Sequence, residues 1–189
     1  MQTTVPIIPS RILITGATGF VGQALCQYLI DRKLTDRQLT DRQLTAQNYS
    51  VRLLLRDLSQ TDSIPAELKA ECVQGDLTNI DSLRAACMDM DAVIHLAGVA
   101  HVGNGGANQS HKINVEGTRN LINMAIEQKL SRFILLSSSL AQAAETGAGD
   151  VTGYGADKLA AERLLQDAAK GSALSYLILR PVNVYGVGM

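Results

Sequence analysis

The chain has 189 residues, 46% of them apolar and 19% charged, with a formal net charge of −1; this is the profile of one globular domain built on its own core. The lack of a basic tract argues against a nucleic-acid surface, and no apolar run approaches the roughly 20 residues of a membrane helix. The N-terminal MQTTVPIIPSR lacks the basic start and apolar core of a secretory signal.

Strand-like and helix-like segments then alternate. RILITG (residues 11–16) is a short β-branched run that ends in glycine, the pattern of a buried strand. GFVGQALCQYLIDRK (19–33) carries Val21, Leu25, Tyr28 and Leu29 on one helical face. LTDRQLTDRQLT (34–45) repeats the pentad TDRQL in tandem. A period of five suits neither helix nor strand, and connections of about 2–6 residues are usual at this point, so the segment reads as an inserted local duplication. VRLLLRD (51–57), AECVQGDL (70–77), DAVIHLAG (91–98), RFILLSSS (132–139) and LSYLILRPVNVYG (174–186) supply further strands, separated by helical patterns at 79–87, 109–128 and 154–170. Continuous apolar strands alternating with helices predict a parallel sheet covered on both faces. The fold class is therefore α/β, a doubly wound parallel sheet of Rossmann type in three α/β/α layers, which binds ligands beyond the C-terminal ends of its strands.

The cysteines, Cys26, Cys72 and Cys87, are three in number and lack CxxC spacing, which reads as reduced thiols in a cytoplasmic protein. His95, His101 and His111 do not fall into a metal-ligand pattern, so no metal is expected.

ITGATGFVG places Gly16, Gly19 and Gly22 directly after the first strand and into the first helix. The first glycine permits a tight turn, the second lets the backbone approach a pyrophosphate, and the third allows close helix–sheet packing, with the helix N-terminus favouring the anion. At the other end of the chain, TGYGADKLAAERLL sets Tyr154 and Lys158 one helical turn apart on the same face.

The GxxGxxG spacing resembles the extended branch of the short-chain dehydrogenase/reductase superfamily. The resemblance continues through GDL (75–77), HLAG (95–98), NVEGT (114–118), SSS (137–139), YGADK (154–158) and LRPVNVYG (179–186), and so spans residues 11–186. It implies a nicotinamide dinucleotide held by Gly16, Thr18, Gly19, Phe20, Val21 and Gly22 at the phosphates and by Asp76 and Leu77 at the adenine. Leu96, Ala97, Gly98, Asn114 and Ser137 run along the cofactor, with Tyr154, Lys158, Pro181 and Val182 at its nicotinamide end. The second strand ends where the adenine ribose is read. An acid there favours NAD, whereas an arginine accommodates the 2′-phosphate of NADP. Arg56 falls at this position with Asp57 next to it, so NADP is favoured and NAD is the alternative.

The same resemblance gives Tyr154 as general acid/base, its phenol lowered from the usual value near 10 by Lys158 and the nicotinamide charge. Lys158 also holds the nicotinamide ribose. Ser139 binds the reacting oxygen, with Ser138 next in line, and Asn183 is the last residue able to touch substrate. Fifteen positions separate Ser139 from Tyr154, and LAQAAETGAGDVTG between them reads as a short flexible loop of small residues. Leucine and alanine follow Ser139 where dehydratases carry Thr or Glu, which disfavours that reaction. The implied chemistry is nucleotide-sugar epimerisation; an NADPH-dependent ketone reductase or dehydrogenase is the alternative, and a non-catalytic dinucleotide-binding module is a third reading. Residues 1–189 then form one dinucleotide-binding domain, and the substrate lobe of about 100 or more residues that follows in the family is expected to be missing. The expected partners are a small nucleotide-sugar substrate and a second copy of the chain, paired through the helices at 109–128 and 154–170.

Overall fold

The computed structural model describes residues 9–36, 49–100, 107–148 and 153–186. Most of the TDRQL repeat, together with His101, lies outside the described residues.

Six parallel strands form one sheet: β1 (Arg11–Thr15), β2 (Ser50–Leu55), β3 (Glu71–Gln74), β4 (Ala92–His95), β5 (Arg132–Leu136) and β6 (Ser175–Leu179), in the order β3-β2-β1-β4-β5-β6. The chain reverses direction across the sheet between β1 and β4, so the loops leaving these two strands diverge and open a crevice at their C-terminal ends. Helix α1 (Phe20–Asp36) follows β1, α2 (Ile80–Cys87) follows β3, and α3 (Ala107–His111) runs through a π-helical turn (Lys112–Gly117) into α4 (Thr118–Glu127). Helix α5 (Ser139–Thr146) follows β5, and α6 (Gly153–Lys170) leads to β6.

Alternation along the strands divides the core between two faces. Leu13, Leu54, Val93, Phe133 and Leu135 pack with α2, α4 and α6 through Leu83, Leu121, Ile122 and Leu165. Ile14, Leu53 and Leu55 pack on the opposite face with Cys26 and Ile30 of α1 and with Leu68. Tyr28, expected on the inner face of α1, is half exposed, and Cys26 and Ile30 take the buried places instead. The periodicity of α1 is weak because its buried stripe is made partly of small residues. All three cysteines are free thiols; Cys26 and Cys87 are buried.

Two expectations are corrected. The segment after Ser139 is not a loop: residues 139–146 form α5, started by Ser138, whose Oγ accepts from Leu140 N at 3.2 Å, and ended by Gly147 at φ +70°. The N-cap and the left-handed glycine are ordinary helix boundaries, hidden by a segment too short to show a period. The single helix expected over 109–128 is divided by its π turn, which contains Asn114.

Candidate functional site

The crevice is lined by Thr15, Gly16, Thr18 and Gly19 after β1, by Arg56 and Gln60 after β2, by Gly75, Asp76 and Leu77 after β3, and by Leu96, Ala97 and Gly98 after β4. The glycine turn is shaped by backbone contacts. Gly19 N donates to Gly16 O at 3.1 Å. Gly16 has φ +76°, and a Cβ there would stand 2.5 Å from Ala97 N. A Cβ at Gly22 would meet Gly16 O at 2.1 Å, whereas one at Gly19 would have only that same oxygen near it, at 3.3 Å. Gly16 therefore lets the turn pass close to Ala97, Gly22 lets α1 pack on the turn, and Gly19 is the least crowded of the three, at the helix N-terminus where an anion would approach. Phe20 and Val21 are half-buried in the first turn of α1.

Arg56 is exposed just past β2, and its carbonyl accepts from Gln74 Nε2 at 3.3 Å. Asp57 does not turn toward the crevice. It caps the 3₁₀ turn Leu58–Ser63, accepting from Ser59 N at 2.8 Å, and this hydrogen bond holds its carboxyl below the ordinary value. Asp76 accepts from Thr78 N (2.7 Å) and Thr78 Oγ1 (2.6 Å), which lowers its carboxyl; Arg56 adds to the effect.

His95 is fully buried. Its Nδ1 lies 2.6 Å from Thr15 Oγ1 and its Nε2 lies 2.9 Å from Thr118 Oγ1. Thr118 spends its one hydroxyl proton on Asn114 O at 2.7 Å. His95 therefore carries its proton on Nε2 and accepts from Thr15. Burial, with the Lys158 charge adding to it, pushes the ring down to about 3. It is a neutral core histidine, and no cluster of metal-binding side chains occurs among the described residues.

Asn114 is buried, and its amide is engaged with the turn after β4. Oδ1 accepts from Val99 N at 2.8 Å, and Nδ2 donates to Val99 O at 2.9 Å and to Ser110 Oγ at 3.0 Å. Asn114 thus shapes the wall beside Gly98. Asp157 joins the same network through Ser110 Oγ (3.2 Å) and His111 Nδ1 (2.7 Å).

At the far end, Lys158 is buried and donates from Nζ to Leu136 O at 2.9 Å. Its Nζ stands 5.7 Å from the centre of the Tyr154 ring and 3.3 Å from where a Cβ on Gly98 would be. Burial brings the ammonium down to about 8, with Glu162 opposing the shift. Burial of Tyr154 raises its phenol above the usual value, so Lys158 alone does not lower it, and the expected lowering depends on the nicotinamide charge as well. Desolvation wins because the ammonium is directed at a backbone carbonyl and lies over the face of the ring. With that environment the phenol holds its proton at neutral pH.

The three serines differ. Ser137 is buried and donates its hydroxyl to Glu162 Oε1, so its side chain is turned away from the crevice. Ser138 caps α5. Ser139 is half-buried, its N donates to Pro181 O at 2.9 Å, and its hydroxyl has no hydrogen bond among the described residues. Pro181 is half-buried, while Val182 and Asn183 are exposed beyond β6.

Glu162 and Arg180 were not singled out from the sequence. Arg180 donates from Nε to both oxygens of Glu162 (2.9 and 3.1 Å) and from Nη2 to Glu162 (2.5 Å) and Glu145 (3.0 Å). A signal existed: Glu162 continues the Tyr154–Lys158 face by one further turn, where the helical pattern calls for an apolar residue.

The sequence profile described as the NAD dependent epimerase/dehydratase family matches residues 12–189. The UDP-glucose 4-epimerase of Vibrio cholerae is 28% identical over 201 aligned positions, covering 96% of this chain and 54% of that protein. A 3 beta-hydroxysteroid dehydrogenase/Delta 5→4-isomerase of Mycobacterium tuberculosis is 27% identical, covering 94% of this chain and 48% of that one. Among solved structures, the UDP-glucuronic acid 4-epimerase of Bacillus cereus in complex with NAD superposes with a TM-score of 0.71 at 25% identity, over 93% of this chain and 57% of that one. The chain spans about half the length of the curated relatives it matches.

Proposed function

Because the chain belongs to the NAD dependent epimerase/dehydratase family, we propose that its crevice holds a nicotinamide dinucleotide and that Ser139, Tyr154 and Lys158 handle proton transfer at a sugar hydroxyl or keto group. The observation that carries this reading is the continuity of one crevice from the Gly16–Gly19 turn, past Arg56 and Asp76, to Gly98, with Lys158 Nζ next to Gly98. The residues fit the group at its phosphate and adenine ends, with the helix N-terminus at Gly19 for the pyrophosphate and Asp76 and Leu77 for the adenine; Pro181 and Val182, just past β6, are the proposed nicotinamide contacts. When bound, the nicotinamide supplies reversible hydride acceptance. Tyr154 exchanges the hydroxyl proton, Lys158 holds its charge beside the phenol and a ribose, and Ser139 offers its free hydroxyl to the reacting oxygen.

The favoured substrate is a nucleotide-sugar, in keeping with the epimerases among the relatives. A reductase or dehydrogenase is the second reading, in keeping with the dehydrogenase among the relatives. A net change in nicotinamide absorbance on adding substrate separates stoichiometric reduction from epimerisation, which leaves none.

NADP is the proposed preference, because Arg56 is exposed at the crevice and Asp57 is occupied as a cap. Calorimetry tests both claims. The wild-type chain should bind dinucleotide, and Arg56→Ala should weaken NADP by about 1–3 kcal/mol, the range for a charged hydrogen bond, while barely altering NAD. Equal losses for both dinucleotides, or tighter native binding of NAD, would overturn the preference. For self-association, the groove between α6 and the π turn leading into α4, lined by Val115, Arg119, Ala156, Leu159 and Ala160, is the proposed surface, and sedimentation equilibrium is the check.

A further inference from the structure

Helix α6 carries three polar side chains at four-residue intervals on one face, Tyr154, Lys158 and Glu162. The first two belong to the proposed chemistry. Glu162 is only 1% exposed, deeper than either. A carboxylate at that depth is tolerated only when paired and hydrogen-bonded, and here every partner comes from a different element. Ser137 Oγ donates to it from the end of β5, and Arg180 donates from the end of β6 through Nε and Nη2. The same two strand ends are also tied to each other, Ser137 N to Leu179 O at 2.7 Å and Ser139 N to Pro181 O at 2.9 Å. Lys158, one turn before Glu162, donates to Leu136 O on the same strand end.

We propose that Glu162 is a positioning residue for the proposed proton-transfer site: it clamps the ends of β5 and β6 to α6 and acts as the counter-charge that keeps Lys158 an ammonium. It touches neither substrate nor cofactor. Through Ser137 it fixes the start of the serine run and so the placement of Ser139. Through its charge it opposes the desolvation that brings Lys158 down to about 8. The titratable and charged groups around Lys158 are Tyr154 and Glu162 on its own helix, His95 at the end of β4, and, beyond Glu162, Arg180 and Glu145. His95 is neutral over the relevant range and Tyr154 is protonated, while Asp157 is turned to Ser110 and His111. Glu162 is therefore the carboxylate whose removal Lys158 should feel. This deepens the proposed function and rests on it for the roles of Lys158 and Ser139.

The experiment is an NMR titration of the ligand-free chain carrying isotope-labelled lysine, with Lys158→Arg identifying the Lys158 signal. In Glu162→Gln the proton affinity of Lys158 should fall by roughly tenfold, about one pH unit. In Glu162→Asp, which keeps the charge and draws it back by one methylene, the fall should be smaller. A purely structural Glu162 would lower the melting temperature and leave the Lys158 midpoint in place. An unchanged midpoint in folded Glu162→Gln therefore overturns the proposal, as does a fall in Glu162→Asp as large as that in Glu162→Gln; should Glu162→Gln not fold, Glu162→Met, uncharged and of similar length, carries the test. Because the titration needs no dinucleotide, a wild-type chain that binds none would defeat the proposed function without touching the charge coupling.

Discussion

At the glycine end of the crevice the contacts that matter involve backbone and lie within a dozen residues of one another: Gly22 against the backbone of Gly16 and Ala17, and the Asp57 carboxylate on Ser59 N. The approach of Gly16 to Ala97 is the exception. At the tyrosine end they are side chains brought from far apart in the chain: the charged Lys158, Glu162, Arg180 and Glu145 and the Ser137 hydroxyl, drawn from α5, α6 and the ends of β5 and β6. Backbone packing fails sterically and locally, through a single added methyl group. A buried charge network fails electrostatically, and its cost falls on whichever partner is left behind.

That difference ranks the expected effects. The largest is at the charge network. Arg180→Ala leaves the Glu162 carboxylate buried with Ser137 as its remaining hydrogen-bond donor, at a cost of about 3–5 kcal/mol by urea unfolding. Restoring neutrality with Glu162→Gln in the same chain should recover a large part of it. A loss under about 1 kcal/mol would show that water satisfies Glu162 and that the two ends do not differ as argued.

At the glycine end the effect is smaller and divides by position. Gly22→Ala forces a methyl group against Gly16 O and should cost about 1–3 kcal/mol through strain. An added Cβ at Gly19 meets only Gly16 O, at a tight 3.3 Å, so Gly19→Val should cost less, about 0.5–1 kcal/mol, while abolishing dinucleotide binding. Unchanged dinucleotide affinity in a folded Gly19→Val chain would refute that role for the turn.

Between the two ends, His95 gives an acid response. Its folded value of about 3 lies below the ordinary 6.5, so the unfolded chain binds a proton more readily between those limits. The stability it contributes is complete above pH 6.5 and is lost as pH falls toward 3, at up to about 1.4 kcal/mol per pH unit. Denaturant midpoints measured down that range should fall, and the fall should be shallower in His95→Gln. Equal slopes would mean that carboxylates alone set the acid limit.

The same contrast explains what could be read from the sequence. Local patterns were enough for the six strands, for the glycine turn and for the Tyr154–Lys158 face, because each lies within one strand–turn–helix unit. Glu162 breaks the apolar pattern of its helix, but its partner Arg180, eighteen residues on in another element, has no place in that pattern, so the pair is not legible in the sequence. The π turn that buries Asn114 was missed because its neighbours keep an ordinary helical pattern. The raised Tyr154 phenol has a related cause. Proximity to Lys158 was legible, but the burial of the phenol and the commitment of the ammonium to Leu136 O were not.

The smallest expected effect bears on cofactor choice. Asp57 stands beside Arg56 at the point where an acid would read a ribose 2′-hydroxyl, and its two possible roles make different demands. As an N-cap, it accepts from Ser59 N and holds the turn Leu58–Ser63 that carries Gln60 into the crevice wall. Asp57→Ala should then cost about 1 kcal/mol of stability and leave the ratio of NAD to NADP affinity unchanged. Asp57→Asn, which keeps the accepting oxygen, should restore most of the stability. As a ribose reader, its loss would weaken NAD and spare NADP. A tenfold fall in NAD affinity alone would move the discrimination from Arg56 to Asp57, and with it the proposed preference from NADP to NAD.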